Sequence, residues 1–239
     1  YALEDFNIPF LGLYAACATF PESLIVGAMF LKEKTMKNII TITSSHNLSA
    51  EKQFRNPIEY GCPKPNTATF TATGSVAIHL CKDKTNLKIE SATIGKVINM
   101  GITDANMMGA VMTPAAADTL VTHLNDLKRS ADYYDLILTG DLGCVGEKIL
   151  KEYCQLNYDL NLKNLKDSGC ELYSEHQDTY SGGSGPVCLP LVLFNRILTT
   201  KKYKKILIIG TGSLHNVTLL NQHREIPAIA HAVSLEVIE

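Results

Sequence analysis

The chain has 239 residues, 46% hydrophobic and 19% charged, which is enough apolar material to bury a substantial core as one large or two small domains. Its 22 basic and 24 acidic side chains leave a formal net charge of −2, too even for an electrostatic grip, so nucleic acid is not expected as a partner. The seven cysteines make an odd count without CxxC spacing, and no charged-then-apolar leader opens the sequence; the expected setting is a reducing, cytosolic compartment, with no metal site.

Cys17 stands among small residues in "YAACA" and precedes a helix expected over 21–35 that lacks a polar face in its middle, which places that helix between layers. "NIITITSS" (38–45) follows as a continuous apolar strand, expected to be covered on both faces. The polar string "HNLSAEKQFRNPIEYG" begins at His46, a candidate polar group at a pocket edge. It also carries Glu51, Arg55 and Glu59, and Arg55 reads more simply as an internal ion pair than as a ligand contact. "TATFTATGSVAIHL" (67–80) reads as one strand and "LKIESATIGKVI" (87–98) as another.

A helix is expected over 114–127, a strand over 132–141 and a helix over 146–155. The turn "SGGSG" (Ser181 to Gly185) then precedes a second apolar helix, 186–199. Its backbone N–H groups and the helix dipole would offer an anion site. Strands follow at "KILIIGTG" (205–212) and "IPAIAHAVSLEVI" (226–238). Gly212 and Ser213, in the loop after the first of these, lack the third glycine of a dinucleotide fingerprint, so no nucleotide or other cofactor is expected. Lys201, Lys202, Lys204 and Lys205 read as a solvated helix end, and the longest apolar runs fall short of the ~20 residues that cross a bilayer, so any membrane contact would be peripheral.

Residues 14–45 and 180–211 run in parallel at a constant offset, with Tyr14 on Tyr180 and Cys17 on Gly183. Two halves are expected: residues 1–87, a partial N-terminal half from its third strand onward, and residues 88–239, a C-terminal half. About 80 residues of the first half are expected to be absent, leaving exposed strand edges and apolar surface.

Duplicated βαβαβαββ halves with buried central helices make a five-layer αβαβα sandwich, and with a cysteine before the first such helix the chain resembles the thiolase and ketoacyl synthase superfamily. More narrowly, "TSSHNLSAEKQFRNPIEYG", "GITDANMMG", "MTPAAADT", "YDLILTGDLGCVG" and "SGGSG" resemble the stage V sporulation protein AD family, thiolase-like proteins of spore-forming Firmicutes. The resemblance implies binding of dipicolinic acid and a role in its transport into the developing spore, with links to germination. It also implies contact with other stage V sporulation A proteins, a peripheral place on the cytoplasmic side of the forespore or spore inner membrane, and a homodimer formed near the elbow.

In the superfamily, Cys17 takes the nucleophile position. The superfamily's histidine would fall at Gly140 or Asp141, and its Asn or His at Gly183, so both partner bases are missing. A thiol alone is only a few per cent ionised at neutral pH. Acyl transfer through Cys17 is the alternative; the leading expectation is a non-catalytic ligand site formed by Cys17, His46, Ser181, Gly182, Gly183, Ser184, Gly212 and Ser213.

Overall fold

The computed structural model describes residues 3–54, 64–174 and 176–238. Arg55 and Glu59 lie outside the described residues. The elements that position the site begin with helix α1 (Thr19–Lys32), strand β1 (Asn38–Ser45) and helix α2 (Asn47–Phe54), followed by strands β2 (Phe70–Thr71), β3 (Gly74–Cys81) and β4 (Leu87–Ile94). Helix α3 (Met108–Asp126), strand β5 (Leu136–Thr139), helix α4 (Gly143–Tyr158), strand β6 (Leu165–Asp167) and helix α5 (Ser168–Leu172) come next. The chain closes with β7 (Gly183–Ser184), α6 (Cys188–Val192), β8 (Lys205–Ser213), α7 (Val217–Asn221) and β9 (Ala228–Val237).

Five strands form one sheet in the order β4-β9-β8-β5-β6, with β5 parallel to β6 and β8, and β9 antiparallel to β8 and β4. One face of this sheet is covered by α3 and α4, where Met112, Leu120 and Leu150 pack on Ile137, Leu207 and Ile209. The other face meets Phe20, Leu24 and Ile25 of α1 and Leu189 and Val192 of α6, against Leu136, Ile206, Ile208 and Val233. β1 and β3 pair antiparallel, and α1 packs between this ribbon and the large sheet. The described residues thus stack as helices, sheet, helices, sheet, four of the five layers of the expected thiolase-like sandwich; the outer face of the β1–β3 ribbon, with Ile40 and Ile42, is exposed.

The duplication is visible in the backbone. Ala16 and Gly182, equivalent at the repeat offset, both have positive φ, at 50° and 108°. Each places a sharp turn just ahead of a central helix.

Four expectations are corrected. The strand read at 67–80 is two elements: Phe70 N donates to Gly182 O and Ala72 N to Ser184 O, so β2 pairs in parallel with β7 before the chain turns into β3. β1 is covered on one face, with Thr41 and Thr43 buried toward α1 while Ile40 and Ile42 are 64% and 57% exposed. α3 starts at Met108 and runs through Pro114, because Met108, Val111 and Met112 have core sites that reward the earlier turn. The second central helix is interrupted: α6 passes into a π-turn at Leu193–Ile197 and a 3-10 turn at Leu198–Thr200, so the expected single helix over 186–199 is three short turns of different pitch.

Candidate functional site

The site lies where β5, β8 and β1 end, beside the N-terminus of α1. Open α/β sheets gather their ligand sites at such carboxyl strand ends. Ala16 is held in its left-handed conformation locally: Thr19 Oγ1 donates to Ala16 O at 2.7 Å and accepts from Ala15 N at 3.0 Å. Gly212 lets β8 lie directly on this elbow, since a Cβ there would sit 2.6 Å from Ala15 O and 3.1 Å from Ala18 N. Gly210 does the same against Pro21 one step earlier. These two glycines serve close packing, and their residues are paired with Ile229 and His231 in the β8–β9 ladder.

The elbow thiol faces a buried carboxylate. Asp141, 1% exposed at the end of β5, accepts Thr211 Oγ1 at 2.9 Å on Oδ1, and Ser184 Oγ at 2.9 Å and Gly185 N at 3.0 Å on Oδ2. The half-buried Cys17 thiol donates to the same carboxylate. Burial raises the Asp141 pKa, while these hydrogen bonds oppose the rise. Asp167, fully buried at the end of β6, lies behind it. It accepts Leu142 N, Gly143 N, Cys170 N and Thr139 Oγ1. Burial, with the Asp141 charge adding, pushes Asp167 up to about 7 against those donors.

The expected residues scatter around this centre. Cys17 and Ser184 meet at Asp141, and Gly212 packs on the elbow backbone. Ser181 is buried and turned toward α4, its Oγ accepting Val145 N at 3.1 Å and its carbonyl accepting Cys144 N at 2.7 Å. Gly182 supplies the left-handed turn beside Gly169. Gly183 faces α5, where a Cβ would meet Leu172 at 2.6 Å and Tyr173 at 3.3 Å, so its space does not belong to a pocket at Cys17. Ser213 ends β8 and is 9% exposed, while His46 is exposed just past Ser45, the last residue of β1.

Part of the turn expected to hold a ligand anion is engaged by a resident one: Gly185 N and the Ser184 hydroxyl, joined by the Thr211 hydroxyl from β8, direct their hydrogens at Asp141. Asp141 stands out in sequence only as one of the two residues, with Gly140, at which the superfamily's histidine would fall, and nothing local in the sequence marked Asp167 or Thr211. The cysteines also need correction. Cys144 and Cys170, 26 residues apart and without a spacing motif, are joined in a disulfide because the starts of α4 and α5 converge on Asp167. Cys188 is wholly buried; burial first, then the charges of Asp141 and Asp167 and nearby Cys17, raise its pKa well above the ordinary thiol value. Among the described residues no helix is long and apolar enough to cross a membrane.

Known proteins match over almost the whole chain. The family model for stage V sporulation protein AD matches residues 1–236. Stage V sporulation protein AD of Bacillus subtilis strain 168 is 42% identical over 99% of this chain and 71% of its own length. Among solved structures, 3-oxoacyl-[acyl-carrier-protein] synthase III of Aquifex aeolicus VF5 superposes with a TM-score of 0.63 at 13% identity, covering 98% of this chain and 69% of that one. The corresponding enzyme of Pseudomonas aeruginosa PAO1 gives a TM-score of 0.58 at 10% identity, covering 95% and 67%. At such identities the enzymes share the fold alone. The elbow, the two central helices and the sequence match together make this chain a member of the stage V sporulation protein AD family.

Proposed function

We propose that the chain serves sporulation as a non-catalytic, ligand-binding member of the thiolase-like superfamily, with dipicolinic acid as its ligand and transport of that ligand into the developing spore as its role. The observation that carries the non-catalytic part is the hydrogen bond from Cys17 to Asp141. A condensing enzyme's nucleophile needs a base or cation that favours the thiolate. A carboxylate acceptor favours the protonated thiol instead, because two like charges ~4 Å apart repel by ~4 kcal/mol at an effective dielectric of about 20.

Family membership supports the ligand. Dipicolinate is a flat ring with two carboxylates, and with the inner donors already on Asp141, those carboxylates are read at the rim formed by Cys17, His46 and Ser213. The same reading places the protein peripherally at the spore inner membrane with other stage V sporulation A proteins, as a homodimer through the segment leading to the elbow. There Phe6, Ile8, Phe10, Leu11 and Tyr14 are exposed, a surface that a second copy would cover.

Titration calorimetry of dipicolinate on the intact protein tests the ligand. Saturable binding is expected, weakened about tenfold, or ~1.4 kcal/mol, by His46→Ala and unchanged by Lys201→Ala on the distant basic corner. Binding that survives His46→Ala and fails with Lys201→Ala would move the site elsewhere. Accumulation of an acyl-Cys17 adduct with acyl thioesters would restore the enzyme reading.

A further inference from the structure

We propose that the Cys144–Cys170 disulfide is a redox-responsive clasp on the Asp141 turn, and that its reduction by a dithiol loosens the turn and opens Cys17 to reagents. The bond joins the first turn of α4 to α5. Both elements hold the same piece of chain. From α4, Cys144 N and Val145 N bond Ser181. From α5, Gly169 and Leu172 press on Gly182 and Gly183, where added Cβ atoms would come within 2.2 Å of Gly169 O and 2.6 Å of Leu172 Cδ2. The next two residues, Ser184 and Gly185, are the ones that hold Asp141, which in turn holds Cys17. A continuous set of contacts thus runs from the disulfide to the elbow thiol.

Two features suit this bond to reversible chemistry. Both half-cystines are partly exposed, so a reductant can reach them. Cys144 also sits in the first turn of a 16-residue helix, where the dipole stabilises a thiolate and makes Cys144 the better leaving group. α5 has only five residues and no length to sustain itself, so it depends on its Asp167 cap and on this bond. In the exchange, one thiolate of the dithiol attacks Cys170 sulfur and expels Cys144. The second thiol of the reductant resolves the mixed disulfide, the reductant leaves as its own disulfide, and its two protons end on Cys144 and Cys170.

The test uses the intact protein, alkylated without reductant and after treatment with dithiothreitol, with peptide mass spectrometry reading each cysteine and the rate at Cys17. The expected results are a Cys144–Cys170 peptide in the untreated protein, a thermal midpoint lowered by roughly 5–10 °C on reduction, and an alkylation rate at Cys17 raised at least tenfold. The Cys144→Ser, Cys170→Ser double variant should show the fast Cys17 rate with or without reductant. If that variant does not fold, the reduced parent still decides the question. Cys144 and Cys170 both alkylated without reductant would overturn the proposal. So would a lowered midpoint with an unchanged Cys17 rate, which makes the bond a structural staple only.

Discussion

Asp141 and Gly212 fix the environment of Cys17 from opposite sides. Asp141 supplies the acceptor, and Gly212 supplies the absence of a side chain that lets β8 touch the elbow. Gly212→Ala places a methyl group 2.6 Å from Ala15 O, a backbone atom that cannot swing aside, so a loss of about 1–3 kcal/mol is expected. Gly12→Ala meets nothing within 4 Å and should leave stability unchanged. Urea denaturation of the two variants is the measurement; equal midpoints would show that the elbow is not tightly packed. Cys17 is legible in the sequence because small residues before an apolar helix announce an elbow. The orientation of Gly183 toward Leu172 was not, because that contact joins parts of the chain brought together only by the fold.

α3 carries a second polar centre remote from the elbow. His123 is buried between Thr93 Oγ1, 2.7 Å from Nδ1, and Tyr134 OH, 2.8 Å from Nε2. Burial, then the Arg129 charge, lowers its pKa to about 4 against the pull of Glu90 and Asp126. Burial works to raise the neighbouring Glu90 carboxyl, but hydrogen bonds from Tyr133, Ser234 and Arg129 and the Arg129 charge hold it at about 2.

Below pH 6.5 the unfolded chain takes a proton at His123 that the folded chain refuses. Stability from this residue is therefore complete above pH 6.5 and is lost as pH falls from 6.5 toward 4, by about 3 kcal/mol. Glu90 adds a further loss from pH 4.5 down to 2. Asp167, raised to about 7, has the opposite sign, its contribution fading as pH rises from 3.8 to 7. The difference between parent and His123→Gln cancels it. Urea unfolding over pH 4–7 should give a shallower acid limb for His123→Gln, and parallel curves would contradict the assignment. Strand β1 was legible to the residue because its β-branched run is continuous, whereas the π-turn after α6 was not, since the run over 186–199 continues through it without a break in helical pattern.

Across the whole molecule, a fold shared with condensing enzymes surrounds a centre in which a buried carboxylate, Asp141, meets the elbow thiol. The four-layer stack and the paired elbows follow from a duplication readable in the sequence, and they bring Cys17 to the place where a nucleophile would stand. The resident carboxylate was the less readable part, because its donors come from β7, β8 and the turn after Ser184, which are neighbours only in three dimensions. The pH dependence of Cys17 alkylation in the intact, oxidised protein, followed by peptide mass spectrometry beside Asp141→Asn, addresses this arrangement directly. In the parent the rate should still be rising at pH 8.5, the ordinary thiol pKa, and removing the Asp141 charge should bring the rise to lower pH. A parent rate that has already levelled off below pH ~7 would mean that Cys17 rests as a thiolate, and a non-catalytic elbow would be contradicted.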